Sequence, residues 1–352
     1  MALIASTPDP APSAGFDPRV YALSPGNVDF LRRLRVWEAL PAERLAPVYA
    51  MRIYGDDGRA ALEFDAYQAG VAELAWIVED SELQRALWSG VSAMPQRCEH
   101  LEVDAEQARL LFTDATAISA KLVVGADGAQ SFVRAAAGIA LRERDYKQAA
   151  LVANFHCEKV HRNVAHQWFL GGPVLALLPL PGDEVSMVWS LPAADAQRLA
   201  ALDAQALAAE VEQASRGMLG ALALASAVRS FPLRRIAARK LVAPRVALVG
   251  DAAHVIHPLA GQGLNLGLQD ARVLAETIAG REPGRDPGDY RLLRRYERRR
   301  AEPILAMDAV VSGLFALYGA RSNLAGRLRN AGLNLTDRVP VLKNLLMRQA
   351  MS

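Results

Sequence analysis

Residues 245–251 read Arg-Val-Ala-Leu-Val-Gly-Asp, an apolar run that ends in a glycine and an aspartate. An uninterrupted apolar run bounded by turn residues is typical of a strand buried on both faces of a parallel sheet. Such a strand places Asp251 at the carboxyl edge of the sheet, where α/β proteins bind ligands. A second run, Lys121-Leu122-Val123-Val124, ends in Gly125-Ala126-Asp127-Gly128. The two runs predict an α/β domain with acidic residues at one sheet edge.

The stretch after Asp251 suits a flat ligand that carries hydroxyls and a negative edge. A carboxylate at position 251 accepts hydrogen bonds from polyol hydroxyls. Gly261 and Gly263 let the backbone approach a ligand closely, and the helix predicted from about Leu264 to Ala279 favours negative charge at its N-terminus. Its predicted apolar face consists of Leu264, Leu268, Ala271, Leu274 and Ile278. The alternative is a glycine-rich turn with an N-capping aspartate.

Two other interpretations of this stretch are less consistent with its spacing. Gly261-Gln262-Gly263 begins like a dinucleotide fingerprint, but that motif needs its first glycine directly after the strand. Asp251, His254 and His257 are spaced by three, yet Pro258 makes regular helical spacing doubtful and no further ligand is near. We therefore predict no metal site.

The bulk composition is that of an ordinary globular enzyme. Charged residues make up 22% of the chain and the formal net charge is +2, so nucleic acid is not an expected partner. Cys98 and Cys157 form no CxxC pair, which predicts a reducing, cytoplasmic location. We predict no signal peptide, because no basic segment followed by an apolar run precedes the prolines near the N-terminus. The longest apolar stretch, residues 304–318, is interrupted and too short for a membrane span.

Three motifs carry a resemblance to a known family. They are Gly250 to Asn265, Val123 to Gly128, and Asp17-Pro18-Arg19-Val20-Tyr21-Ala22-Leu23-Ser24. Together they closely resemble the ubiquinone-biosynthesis hydroxylases, which are class A flavoprotein monooxygenases related to 4-hydroxybenzoate hydroxylase. The similarity runs from residue 2 to the last residues of the chain.

The resemblance implies a set of FAD-binding residues. Asp251 would bind the FAD ribitol, residues 261–265 would line the isoalloxazine, and Pro258 would flank the ring where oxygen reacts. Asp127 would serve both FAD and the nicotinamide donor; a simple turn after a strand is the alternative. Arg19 would lie near the pyrophosphate; a surface arginine is the alternative. The predicted cofactor-binding residues are Arg19, Asp127, Gly250, Asp251, Pro258, Gly261, Gln262, Gly263, Leu264 and Asn265.

The resemblance also implies an architecture. It is an α/β (α+β) fold in which an incomplete Rossmann-like FAD-binding domain is interleaved with a β-sheet substrate domain and followed by a helical C-terminus. The expected boundaries are 1–45, 78–145 and 240–290 for FAD binding, 46–77 and 146–239 for the substrate sheet, and 291–352 for the helical region. The family begins with a strand, a GxGxxG turn and a helix that carries the pyrophosphate, and we expect this unit to be missing before Ala2. Ala5 stands where relatives often carry a ribose-binding acid.

The implied reaction is flavin chemistry. NADPH or NADH would reduce FAD, and the reduced flavin would activate O2 to hydroxylate an electron-rich ring, most simply a polyprenylated phenol of ubiquinone biosynthesis. No protein nucleophile is expected, since Ser24 and Ser131 have no evident base beside them. The alternatives are a related flavoprotein hydroxylase or reductase on another aromatic or isoprenoid substrate, and a truncated non-catalytic remnant.

A cluster of arginines precedes the apolar stretch 304–318. It consists of Arg291, Arg294, Arg295, Arg298, Arg299 and Arg300. Such a surface would suit peripheral contact with the inner face of a membrane or with a biosynthetic complex. The alternative is a solvated helix face whose arginines pair with Glu297 and Glu302.

Overall fold

The computed structural model of the chain describes residues 1–5, 15–55, 61–256 and 263–319. The strands are β1 Leu3–Ile4, β2 Val20–Leu23, β3 Ala46–Val48, β4 Ala50–Tyr54, β5 Ala61–Asp65, β6 Ala75–Glu79, β7 Ala93–Met94, β8 Cys98–Val103, β9 Ala108–Phe112, β10 Ala117–Ala120, β11 Val123–Gly125, β12 Leu141–Cys157, β13 Val164–Phe169, β14 Val174–Pro179, β15 Glu184–Pro192, β16 Leu222–Leu224, β17 Arg229–Ala238, β18 Val242–Ala243, β19 Val246–Leu248 and β20 His254–Val255. The α-helices are α1 Pro25–Arg33, α2 Ala66–Ala69, α3 Asp80–Trp88, α4 Phe132–Ala136, α5 Ala193–Ala200, α6 Ala204–Ala214, α7 Gly263–Ala279 and α8 Tyr290–Gly319. Short 3₁₀ turns occupy Trp37–Ala39, Ala42–Arg44 and Gly250–Ala252.

The chain forms two compact units, each built from separate segments. The first unit comprises Met1–Asp9, Val91–Tyr146 and Arg234–Val311, and the second comprises Pro10–Gly90, Lys147–Leu233 and Ser312–Ser352. Residues 16–45 and 78–90, which we had assigned to FAD binding, thus fall in the unit that holds the large sheet. The functional assignment of the segments stays a prediction.

The first unit is organised around two adjacent parallel strands. β11 pairs with β19 in parallel, with Val123 opposite Val246 and Gly125 opposite Leu248. β18 extends this sheet on the other side of β19 in antiparallel sense. Every residue of β19 is fully buried, as expected for a strand covered on both faces. The core around it takes side chains from α7 and α8, including Leu274 and Tyr296.

Two smaller sheets complete the first unit. β8, β9 and β10 form an antiparallel meander. β1 pairs in parallel with β7, with Leu3 opposite Ala93, so the short apolar segment at the start of the chain is a strand.

The second unit holds most of a nine-stranded sheet, including the run β12-β15-β14-β13-β4-β5, with β16 paired to β12. Neighbouring strands of this run are antiparallel except for β13 and β4, which run parallel. Side chains alternate between two faces along each strand. One face carries Leu151, Trp168, Leu175 and Met187, which pack in one apolar cluster with α5 and α6.

Local sequence signals set several helix boundaries. Pro25 occupies the first turn of α1, where a missing N–H is tolerated. The Asp203 carboxylate accepts a hydrogen bond from the Ala206 amide and caps α6. The helix predicted from about Leu264 to Ala279 is confirmed as α7, Gly263–Ala279, and its N-terminus carries the positive end of the helix dipole.

Candidate functional site

The two predicted acidic residues follow adjacent strands of one sheet. Asp127 comes two residues after β11, and Asp251 comes three residues after β19. Because these strands are parallel and in register, both carboxylates belong to the carboxyl edge of the sheet. Both residues are exposed. One Asp127 oxygen accepts a hydrogen bond from the Val133 amide at 3.0 Å, at the start of α4.

The turn that carries Asp251 packs directly against α7. Gly250 has φ +59°, a left-handed conformation that favours glycine. A Cβ built on Gly267 of α7 would lie 3.2 Å from the Gly250 Cα. Two glycines therefore allow backbone to meet backbone between the turn and the first turns of the helix. This contact places the turn of Asp251 beside the N-terminal turns of α7, as the sequence predicted.

A buried polar network also holds the turn that carries Asp251. The carboxylate of Asp270 in α7 accepts hydrogen bonds from the Gly250 amide at 3.0 Å and from His254 Nε2 at 2.7 Å. Its other oxygen accepts from Arg300 Nε of α8 at 2.6 Å. Asp270 is fully buried, and Arg300 and His254 are nearly so. The acid is thus surrounded by donors, which a buried carboxylate requires.

Arg134 connects the two edge turns. Its guanidinium donates to the Ala252 carbonyl at 2.9 Å and to the Ala129 carbonyl at 2.8 Å. Ala129 belongs to the turn after Asp127, and Ala252 belongs to the turn of Asp251. A single buried arginine therefore fixes the spacing of the two acidic turns.

The predicted apolar face of α7 is right at its C-terminal end, where Leu274 is buried and Ile278 packs against the core, and wrong in its N-terminal half. Ala271 is exposed and Leu264 and Leu268 are only half-buried. The buried positions are Asn265, Leu266, Asp270, Val273, Leu274 and Thr277. A hydrophobicity pattern does not identify this face, because it counts Asp270 as polar although His254 and Arg300 pair with it in the interior.

The remaining predicted cofactor-binding residues fall into three groups: some lie in the first unit, some lie outside the described residues, and one lies in the second unit. Gly263, Leu264 and Asn265 form the start of α7. Pro258, Gly261 and Gln262 lie outside the described residues. Arg19 belongs to the second unit, where its guanidinium lies 5.6 Å from the ring centroids of both Tyr21 and Phe231 and 3.5 Å from the Asp80 carboxylate.

The sequence analysis missed several residues that support this site. They are Arg134 and Asp270, together with His254, which was considered only as a metal ligand, and Arg300, which was considered only as part of the arginine cluster. Among the described residues, no group of three or more acidic, histidine or cysteine side chains could hold a metal ion. One signal was available in the sequence, because Asp270 is an acidic residue between the apolar positions Leu268 and Val273 of the predicted helix, whereas Arg300 lies in a run of charged residues and gave no such signal.

A second titratable cluster lies in the sheet of the second unit. The Tyr54 hydroxyl donates to His166 Nδ1 at 3.1 Å, and both rings stack with Trp168 at centroid distances of 5.2 and 5.6 Å. Burial, with a smaller contribution from nearby Arg52 and His161, lowers the pKa of His166 to about 4. Burial also raises the pKa of Tyr54. This cluster therefore holds a neutral imidazole near pH 7.

The residues at the sheet edge of the first unit fit an FAD. Asp251 presents an exposed carboxylate, which can accept hydrogen bonds from ribitol hydroxyls. The N-terminus of α7 supplies a positive dipole end for the anionic rim of the flavin. The Gly250–Gly267 contact leaves no side chain between turn and helix.

Comparison with known proteins agrees with this geometry. Residues 14–309 match the FAD binding domain family. The chain is 34% identical over 353 residues to ubiquinone hydroxylase UbiL of Rhodospirillum rubrum, covering 98% of this chain and 82% of that protein. It is also 34% identical over 348 residues to 3-demethoxyubiquinol 3-hydroxylase of Escherichia coli K12, covering 95% and 87%.

A solved structure shows the same fold. Klebsiella pneumoniae HpxO, in complex with FAD and uric acid, superposes with a TM-score of 0.72 at 18% identity and covers 96% of this chain and 88% of that one. The fold class, the cofactor and the family predicted from the sequence are confirmed. This chain belongs to the family of FAD-dependent ubiquinone-biosynthesis hydroxylases.

Proposed function

We propose that the chain is a monooxygenase that hydroxylates the aromatic ring of a polyprenylated phenol in ubiquinone biosynthesis. One observation carries the proposal: the Gly250–Gly267 contact packs the turn that contains Asp251 against the N-terminal turns of α7. The relatives with 34% identity are named as ubiquinone-pathway hydroxylases, which supports a small aromatic substrate. A hydroxylase or reductase acting on another aromatic or isoprenoid is the second candidate.

The roles of protein and cofactor differ. FAD, when bound and reduced by NAD(P)H, supplies the oxygen chemistry. The protein binds and orients the cofactor and excludes water from the reacting centre. In this proposal Asp251 holds the ribitol, and the backbone from Gly261 to Asn265 faces the ring. Pro258 would flank the ring, Arg19 would meet the pyrophosphate, and Asp127 would serve both FAD and the nicotinamide donor.

The site in the first unit needs no protein nucleophile. Ser131, one of the two serines considered from the sequence, is buried, and its hydroxyl accepts a hydrogen bond from the Arg134 amide as the cap of α4. Its geometry is therefore that of a helix cap. This supports a mechanism in which the protein positions groups and the cofactor reacts.

A peripheral contact with the inner face of a membrane would give access to a polyprenylated substrate. Four of the six clustered arginines pair with acids, because Arg294, Arg295, Arg299 and Arg300 contact Glu297, Glu282, Glu276 and Asp270. Arg291 and Arg298 are exposed and form no ion pair among the described residues. At roughly 1 kcal/mol for each basic residue near an anionic surface, two free arginines support only a weak, salt-sensitive contact.

No described helix combines the length and the apolar content that a membrane span requires. Binding to vesicles of anionic and of zwitterionic phospholipid therefore tests the surface contact directly. We expect weak binding to the anionic vesicles that is lost in high salt and reduced by the double substitution Arg291→Gln, Arg298→Gln.

The proposed activity is tested with the purified chain. It is titrated with FAD, and NAD(P)H oxidation and oxygen uptake are then followed with a soluble short-chain prenyl phenol. We expect substrate to stimulate NAD(P)H oxidation and a hydroxylated product to accumulate. FAD binding with no response to any prenyl phenol would favour the second candidate. Absence of FAD binding would favour a non-catalytic remnant and contradict the proposal.

A further inference from the structure

Asp270 is fully buried in the first unit, and both of its carboxylate oxygens accept hydrogen bonds. Oδ2 accepts from the Gly250 amide and from His254 Nε2, and Oδ1 accepts from Arg300 Nε. Arg300 also donates to Gln269 Oε1 at 3.1 Å and to the Leu266 carbonyl at 3.2 Å. The network therefore joins α7, α8 and the segment that follows β19.

Two of the residues that donate to Asp270 flank Asp251 in the sequence. Gly250 immediately precedes it, and His254 follows it by three residues in β20. Because one oxygen of Asp270 binds both positions, the turn between them is held at its two ends. Asp251 itself stays exposed at the edge of the sheet. The network therefore constrains the backbone that carries Asp251.

A gain in folding stability does not by itself explain why a charged hydrogen-bond network is buried beside the Gly250–Ala252 turn. Replacing a buried ion assembly with apolar side chains of similar volume is often neutral or stabilising, because the charges lose their hydration. Hydrogen bonds, in contrast, are directional and fix the orientation of the backbone they engage. Arg300 also neutralises Asp270, so the interior charge does not repel an anionic ligand at the helix opening.

We infer that Asp270, with His254 and Arg300 as its partners, is a positioning residue for the cofactor, which keeps the Gly250–Ala252 turn in its FAD-binding orientation before FAD arrives. This inference rests on the proposed function, since it takes FAD as the ligand of Asp251. It assigns Asp270 no contact with the cofactor. Its effect is transmitted through the Gly250 amide and the His254 ring.

The test measures FAD affinity of the apoprotein by quenching of flavin fluorescence, together with hydrogen exchange of residues 248–256. Residues that support the ligands of a metal site typically change metal affinity about 10- to 100-fold when mutated, and we take the same range for the support of this turn. We expect Asp270→Asn and His254→Leu to weaken FAD binding by this factor and to speed exchange of the segment. His254→Gln should restore most of the affinity, because its side-chain amide can donate near the position of Nε2.

Thr277→Val is the matched control. Thr277 is buried on the same helix, and its hydroxyl donates to the Val273 carbonyl at 2.7 Å, away from the turn. We expect this variant to change the thermal midpoint of the apoprotein while leaving FAD affinity and exchange of residues 248–256 at wild-type values.

The outcomes separate the inference from the proposed function. If the wild-type chain binds no FAD, both are overturned. If wild type binds FAD and a folded Asp270→Asn variant binds it equally well, only the inference is overturned. Should Asp270→Asn fail to fold, the two His254 variants decide: equal FAD affinity of His254→Leu and His254→Gln contradicts the inference.

Discussion

Gly267 and Gly250 meet backbone to backbone, so that a Cβ on Gly267 would lie 3.2 Å from the Cα of Gly250. The contact joins the first turns of α7 to the turn that carries Asp251. Both atoms of the contact belong to the backbone or lie directly on it, so no flexible side chain could move to relieve the contact. The two glycines therefore fix how closely the helix approaches the edge of the sheet.

Substitution of Gly267 tests this contact. Gly267→Ala adds a methyl group against backbone, and overpacking of this kind costs about 1–3 kcal/mol. Alanine also favours a helix over glycine by about 1 kcal/mol. Gly313→Ala in α8 is the control, since a Cβ there meets nothing within 4 Å. We expect the free energy of unfolding of the Gly267 variant to lie about 1–3 kcal/mol below that of the control in urea titrations. Equal values would show that the contact imposes no constraint.

Asp251→Ala tests the proposed ribitol contact. Loss of hydrogen bonds to a charged acceptor costs about 1.5–3 kcal/mol, so we expect FAD affinity to fall on the order of 10- to 100-fold by equilibrium dialysis. Because Asp251 is exposed, the apoprotein should keep its thermal midpoint. Glu302→Gln, which removes another exposed carboxylate, should leave FAD affinity unchanged. A flavin-replete Asp251→Ala protein would contradict the assignment.

Two glutamate–arginine pairs of the second unit should differ in energy because they differ in burial. Glu79 is fully buried, receives two bonds from Arg44 at 2.8 and 2.7 Å, and accepts from the Asp17 amide. Glu63 pairs with Arg52 where both side chains are nearly half exposed. We expect Glu79→Gln to lower the free energy of unfolding by about 3–5 kcal/mol.

Glu63→Gln is the matched comparison, with an expected effect of at most about 1 kcal/mol in the same urea titration. The Glu79 variant should also speed proteolysis near Asp17, because the segment preceding Arg19 loses its anchor. Similar losses in the two variants would mean that burial does not distinguish the pairs.

His166 should make stability depend on pH in a defined window. Its pKa is lowered from 6.5 to about 4 in the folded state, mainly by burial. Above pH 6.5 the imidazole is neutral in both states and contributes nothing. Between pH 6.5 and about 4 the unfolded chain takes up a proton that the folded chain does not. Stability therefore falls as pH falls through this window, by at most about 3 kcal/mol.

His166→Gln removes this titration while its amide oxygen can still accept from the Tyr54 hydroxyl. The measurement is the free energy of unfolding of both proteins from pH 7 to 4. We expect the wild type to lose more stability than the variant below pH 6.5. Parallel curves would show that His166 titrates normally in the folded protein.

How far the sequence predicted the site can be judged from particular residues. The apolar runs that end in Gly125 and Gly250 predicted two buried strands, and the structure pairs them in parallel. The glycines after Asp251 predicted a helix start, which lies at Gly263. These features follow from local chemistry, because burial on both faces and tight backbone approach restrict which residue types can occur.

Other features depend on partners that are distant in the chain. The sequence alone determined the strand ends, the acidic residues that follow them and the family they indicate. Only the tertiary structure decided that Asp270 turns inward and that Arg134 connects the two edge turns. The physical reason is that a charge can be buried only when donors from other segments meet it. His254 and Arg300 lie 16 and 30 residues from Asp270, and no periodicity in a single helix reveals such partners.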